Sequence, residues 1–369
     1  MWESTMQNSQ TDVWSILFWV LIALMFFTPL NERIQLTYRM LEIQSYLKQL
    51  ESYLTRADRV FEEEARRYGC SEEKAKKALK SIKGFFLIEP VSMDPVGIIK
   101  RLEHLLKTQE DRVDDFIREV AVNASEAERS NMKNVLAANL ALDIIYRVVR
   151  HIFLLAKKTK NYFYMVQLYM YLPEIMRIAR SYFRALIPLK EGIPIGDSLG
   201  PLVAFKLGNG SKWREVAKNV IAYEREASGR KLIIIKAKGP GGEVGKPGDA
   251  VEKIVKEHDG KVKMIIMVDA AVKLEGERTG EVAEGIGAAI GDPGPEKYKI
   301  ETVATEYGIP LVAIVVKEDI TEAITAMPRE VAEAADRVVE RILDIIKKKT
   351  SEGDVVIIAG IGNTIGISQ

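Results

Sequence analysis

Cysteine is almost missing from this chain. Cys70 stands alone in 369 residues, so no disulfide framework can form, and a cysteine-built zinc site has too few ligands. Histidine is nearly as scarce. His104, His151 and His258 are scattered, which argues against a histidine-rich metal centre. Neither sign of charge prevails: 53 Lys and Arg face 52 Asp and Glu, for a net charge of +1. Without a basic field, nucleic acid is not an expected partner. What is plentiful is apolar residue, 47%, with 28% charged, the composition of a globular protein with a core. The length suits two domains of ordinary size.

Charge is also missing from one local stretch. "VWSILFWVLIALMFFTPLN", residues 13–31, holds none between Asp12 and Glu32. That is close to the ~20 apolar residues that cross a bilayer core. It predicts a single transmembrane helix at 13–31 behind a short extracytoplasmic tail, 1–12. Arg33, Arg39 and Lys48 follow the span and no basic residue precedes it. The positive-inside tendency then predicts a single-pass protein of the cell membrane, in contact with the lipid bilayer, with its carboxy-terminal bulk in the cytoplasm.

Residues 32–68 predict a long helix. Leu36, Met40, Ile43, Leu47, Leu50, Leu54, Ala57 and Phe61 alternate spacings of four and three, a heptad stripe. The stripe fits self-association as a homo-oligomer, or packing on later helices of the same chain. Residues 69–189 predict an all-α helical domain. "CSEEKAKK" opens one helix with Ser71 as cap and acids in the first turn.

At 190–369 glycine becomes frequent and the apolar runs shorten. "NVIAYEREASGRKLIIIKA" reads as two strands joined at Ser228-Gly229. "KVKMIIMVDAAV", "IPLVAIVV" and "DVVIIAG" read as buried strands alternating with helices. The pattern predicts an α/β domain on a mostly parallel sheet, with functional groups at the carboxyl ends of the strands. Two glycine-rich loops invite a phosphate reading. Gly245-Lys246 lacks the P-loop glycine (Pro240 stands there) and the following Ser or Thr (Pro247 stands there). "GIGNTIG" follows a strand, but the helix a dinucleotide needs after it is missing before Gln369. No cofactor is expected.

The layout of the whole chain resembles an archaeal membrane-associated family catalogued as domain of unknown function 1512. Residues 192–369 are distantly similar to the germination protease of spore-forming bacteria and to the hydrogenase maturation proteases. "GDSLGPLVAFKL", "MIIMVDAA" and "YGIPLVAIVV" carry that likeness. It implies a phosphorylase/hydrolase-like α/β fold. It also implies a catalytic pair, Asp197 and Asp269, acting on a peptide or protein substrate by aspartic-type hydrolysis. Those relatives carry a Gly-x-Gly-Asn strand ahead of the Asp-x-x-Gly turn; here "VVIIAGIGN" comes last. A permuted order, or a strand exchanged between subunits, is therefore expected, with Val355–Gly360 beside the strand of Asp269 and Asn363 near Asp197. The nickel of the maturation proteases has no third ligand here, so no metal is expected. Gly196, Ser198, Gly241, Gly242, Gly362 and Asn363 are the expected substrate- or anion-binding residues. The alternatives are that Asp197 merely caps the helix after it, and that the chain is an oligomeric, membrane-tethered scaffold or ligand-binding protein, or a nucleotide module.

Overall fold

The computed structural model describes residues 13–22, 29–88, 90, 97–291 and 294–369. Residues 13–22 are helical (α1). Helices α2 (Pro29–Arg67), α3 (Glu72–Ile82), α4 (Ile98–Val120), α5 (Glu126–Thr159) and α6 (Tyr162–Glu191) follow. Ser71 caps α3, its side chain accepting from the Lys74 amide at 3.4 Å, with Glu72 and Glu73 in the first turn. The chain divides into two compact units, Met1–Tyr53 with Asp143–Ala179, and Leu54–Leu142 with Arg180–Gln369. Within the first, Arg39 lies over the Tyr169 ring, whose hydroxyl donates to Glu42 at 3.1 Å. Asp197 and Asp269 both lie in the second unit.

The expected transmembrane helix is corrected. Among the described residues no helix is long and apolar enough to cross a membrane. The ten helical residues 13–22 rise about 15 Å, half the ~30 Å of a bilayer core. Residues 23–28 lie outside the described residues, as does the tail 1–12. The expectation treated 13–31 as one helix because it counted uncharged residues. The described part of α2 opens at Pro29. The α2 helix then brings in Glu32 and Arg33 at once. The single-pass location in the cell membrane, with a cytoplasmic carboxy-terminal bulk, falls with the helix it was read from.

Much of the heptad stripe of α2 is buried within the chain. Ile43, Leu50, Ala57 and Phe61 are buried, and the Phe61 ring stacks on Phe116 of α4 at 6.0 Å. The side chain of Leu36 lies outside the described residues.

The carboxy-terminal part is a seven-stranded sheet in the order β1-β2-β3-β7-β4-β6-β5. Its strands are β1 (Trp213–Ala217), β2 (Val220–Ala227), β3 (Arg230–Ala237), β4 (Met264–Val272), β5 (Val282–Ile286), β6 (Leu311–Glu318) and β7 (Val355–Gly360). The sheet is mixed rather than mostly parallel. The β3-β7, β7-β4 and β4-β6 pairs are parallel, while β1-β2, β2-β3 and β5-β6 are antiparallel. Two hairpin-type pairings at one edge and a short edge strand at the other flank the parallel centre. The β2-β3 turn is Ser228-Gly229, with φ of 51° and 73°, the paired positive angles a tight two-residue hairpin demands.

Helices cover both faces. Ile266 and Val268 of β4 pack with Leu199 and Val203 of α7 (Leu199–Gly208) and with Val338 and Ile342 of α11 (Arg329–Lys349). Ile265 and Met267 pack on the other face with Val251 and Ile254 of α8 (Pro247–Glu257) and Ile300 of α9 (Pro295–Glu306). A strand buried on both sides has no need of polar alternation, which is why "MIIMV" runs apolar throughout. The α10 helix (Ile320–Ala323) is one turn after β6.

Candidate functional site

The parallel strands β3, β7, β4 and β6 end at one edge of the sheet, where polar groups gather although the rest of the core is apolar. Asp269 lies on β4 near that end and is 6% exposed. Glu318 is the last residue of β6 and is 1% exposed. Asp197 sits in a single 3-10 turn, Gly196–Ser198, directly before α7. It lies deep in the fold but keeps part of its surface open.

Asp197 does not cap α7. The residue at the cap position is Ser198, and it makes no side-chain cap bond. The Asp197 carboxylate instead accepts the backbone N–H of Asn363, at 2.8 Å across 166 positions of sequence. Gly362 makes this possible. Its φ of +124° favours glycine, and a Cβ there would strike the Asp197 carbonyl oxygen. β7 lies directly beside β4, with Ile357 opposite Ile265, so the last strand takes the expected place and delivers Asn363 to Asp197.

The carboxyl groups disturb one another. Burial pushes Asp197 up, partly offset by the Asn363 amide. Burial, then the charge of Asp197, pushes Asp269 up to about 7, against bonds from the Ala270 amide (2.8 Å) and the Gly291 backbone. Burial, then the charges of Asp197, Glu322, Asp269 and Asp319, pushes Glu318 up to about 8. No cation figures among these causes. Lys236, buried at the same end of β3, has its ammonium pushed down to about 8 by burial and donates to the Ala237 carbonyl at 3.1 Å.

The remaining anticipated residues divide. Gly362 and Asn363 meet Asp197. Gly196 adjoins Glu318, whose carboxyl oxygen fills the space a Cβ would need. Several amides of the residues expected to bind substrate or an anion are already committed. Ser198 N–H donates to the Ile195 carbonyl (2.9 Å), Gly196 N–H to the Thr325 carbonyl (3.2 Å), and Gly242 N–H to Asn131 Oδ1 (3.1 Å). The Gly241 carbonyl accepts the Thr364 hydroxyl at 2.8 Å.

Two participants were not anticipated. Glu318 closes an apolar strand, where it reads as an ordinary strand-end residue. Asn134 belongs to α5. Its Oδ1 accepts from Asn363 Nδ2 at 2.8 Å, and its Nδ2 donates to the Gly242 carbonyl at 2.7 Å. The lack of a Cβ at Gly242 leaves room for both asparagines. A chain of hydrogen bonds thus runs Asn134–Asn363–Asp197. Its far end borders a cavity of about 400 Å³, lined by Lys133, Lys218, Lys246, Glu110, Asp114 and Glu243 among others. Asn134→Ala should therefore loosen Asn363 and, by freeing the Asp197 carboxylate from a fixed donor, raise the Asp197 pKa further. Carbon-13 NMR of the Asp197 carboxyl through a pH titration reads this; an unmoved midpoint would show that Asn363 is held without α5.

One further acidic group has metal-like spacing. Oxygens of Glu103, Asp249 and Glu296 lie within 4.8 Å of one another. The Lys299 ammonium already serves them, at 2.6 Å from Glu103 and 2.5 Å from Asp249.

Two family models match the chain. Residues 17–192 match the N-terminal domain of a protein of unknown function, DUF1512, and residues 195–368 match the C-terminal domain of the same family. No curated protein matches it.

Proposed function

We propose that this chain, which belongs to the DUF1512 family, hydrolyses peptide bonds with Asp197 and Asp269 at the carboxyl edge of its sheet. One observation carries the reading: Asp269 is buried and close enough to Asp197 that burial, then the charge of Asp197, pushes it up to about 7, as in a carboxyl pair that shares a proton. The distant likeness of "GDSLGPLVAFKL" and "MIIMVDAA" to the germination protease supports it, as analogy. Asp197, tied to the Asn363 amide, is the better base. It takes a proton from water as the oxygen attacks the amide carbon, while Asp269 gives its proton to the carbonyl oxygen. As the tetrahedral carbon collapses, the carbonyl proton returns to Asp269 and the Asp197 proton passes to the leaving nitrogen.

This predicts activity that falls as pH rises through about 7, when Asp269 loses its proton. Asp197→Asn and Asp269→Asn should each lower cleavage of an unfolded protein or a fluorogenic peptide library at least ~100-fold. Cleavage that survives both substitutions rules the pair out. Absence of cleavage by the parent chain between pH 4 and 9 rules out the hydrolysis.

A second reading, ligand binding without cutting, is favoured by the cavity beside Asn134, because none of the residues lining it is Asp197 or Asp269. Ligand-dependent thermal stabilisation without turnover is its signature.

A further inference from the structure

Glu318 is chemically odd. It is 1% exposed, and neither carboxyl oxygen has a hydrogen-bond partner among the described residues. Its acidic neighbours are served: the Asp319 carboxylate accepts from the Thr321 amide (2.8 Å) and hydroxyl (2.7 Å), and Glu322 from the Asp319 amide (2.7 Å) and the Thr279 hydroxyl (2.9 Å). Glu318 also sits under the turn that carries Asp197, since its Oε2 occupies the place of a Cβ on Gly196. That turn is bound to the segment after β6 by Gly196 N–H to the Thr325 carbonyl (3.2 Å) and Met327 N–H to the Pro194 carbonyl (2.8 Å). A bare carboxylate there would be both desolvated and faced by the charges of Asp197, Glu322, Asp269 and Asp319. An apolar side chain or a glutamine would pack in the same space without that cost, so a purely structural role does not account for an acid.

We propose that Glu318 is a third working carboxyl of the site, a positioning residue that enters as a neutral acid, seats the Asp197 turn and stores a proton beside the Asp197–Asp269 pair. The three groups ionise as a coupled set, and Glu318 faces the charges of both Asp197 and Asp269. Around neutrality Glu318 keeps the site's negative charge from growing. Its ionisation above about pH 8 adds a second or third charge under the Asp197 turn. The role in catalysis rests on the hydrolytic reading above; the protonation state does not.

The test therefore needs no substrate. The full chain, labelled with carbon-13 at Glu and Asp carboxyls, is titrated from pH 5 to 10 as parent, Glu318→Gln and Asp197→Asn. The parent should show one glutamate with a midpoint near 8. That signal should vanish in Glu318→Gln and move down by about one unit in Asp197→Asn, where a facing charge is gone. Glu318→Gln should melt no lower than the parent at pH 7, because an amide replaces a neutral acid of equal size. A glutamate already ionised at pH 6, or a midpoint that ignores Asp197→Asn, overturns the proposal. So does stabilisation of the parent by manganese or zinc that Glu318→Gln abolishes, which would make Glu318 a metal ligand instead. If the titration behaves as expected while no peptide is cut, the hydrolytic reading fails and the neutral acid stands.

Discussion

Asp269→Asn is expected to be more stable than the parent, by an amount that grows with pH. The unfolded chain ionises Asp269 near its ordinary value of 3.8, whereas the folded site holds the proton to about 7. Below pH 3.8 both states are protonated and the group is neutral toward stability. Between 3.8 and 7 the unfolded state gives up a proton that the folded state keeps, so each pH unit costs the fold about 1.4 kcal/mol. Above 7 both states are ionised, and the loss levels off at roughly 4 kcal/mol. An asparagine escapes this. Its amide oxygen can still accept from Ala270, but the bond from the Gly291 backbone is lost, at about 1 kcal/mol. The expected net gain is about 2–3 kcal/mol at pH 8 and none at pH 4. Urea denaturation of both chains across that range measures it. A variant less stable at pH 8, or a difference that does not change with pH, would mean that Asp269 is not held neutral by its surroundings.

The direction of this effect separates a working acid from a structural one. A helix cap or a salt-bridged carboxylate has its pKa lowered, and its removal destabilises the fold. Asp197, Asp269 and Glu318 all have theirs raised, so each weakens the fold at neutral pH. Three such groups at one end of one sheet are hard to explain by packing. They match the general trade of stability for activity, in which sites keep groups that the fold would discard.

How far the sequence shows this in advance follows from range. Local chemistry is legible: Ser71 as cap, Ser228-Gly229 as hairpin turn, and the apolar strands that carry Asp269 and end at Gly360 are visible because neighbouring residues decide them, although the first runs three residues past Asp269 to Val272. The approach of Asn363 to Asp197 was readable only through the likeness of two short motifs to another family. Asn134 gave no signal, since an asparagine within a helix is usually a solvated residue and its partner lies 229 positions away. Glu318 was hidden by its place at a strand end, where a charge ordinarily meets water; the Gly196 turn and the sheet order that bury it are tertiary facts. The stretch 13–31 misled for the opposite reason. Hydropathy counts uncharged residues, whereas among the described residues no helix is long and apolar enough to cross a membrane.

Gly200→Ala should be a severely damaging small substitution. α7 lies with its backbone directly on the sheet at Gly200. An added methyl would strike the Ile361 carbonyl oxygen, and would stand 2.6 Å from the Val268 oxygen and 2.7 Å from the Ile361 nitrogen. These are backbone atoms, and two of them are joined by the Ile361 N–H to Val268 carbonyl bond of 2.8 Å, so they cannot swing aside as a side chain would. From the facing strand, Gly360 permits the same approach, since a Cβ there would meet the Ala204 methyl at 2.8 Å. Relief requires α7 to lift, and α7 begins one residue after the Asp197 turn. Overpacking of this kind costs about 3 kcal/mol or more. The lift should also stretch the Asn363-to-Asp197 bond, moving the Asp197 carboxyl titration. Gly285→Ala is the matched control: its nearest neighbour is the Ala313 methyl at 4.0 Å and its backbone is not left-handed, so it should change stability by less than about 1 kcal/mol. If Gly200→Ala proves as mild as Gly285→Ala, α7 does not rest on the strands. The carboxylate edge would then not be assembled by that contact. If it unfolds the chain or shifts Asp197, the same close backbone contact that builds the core also sets the spacing of the acids.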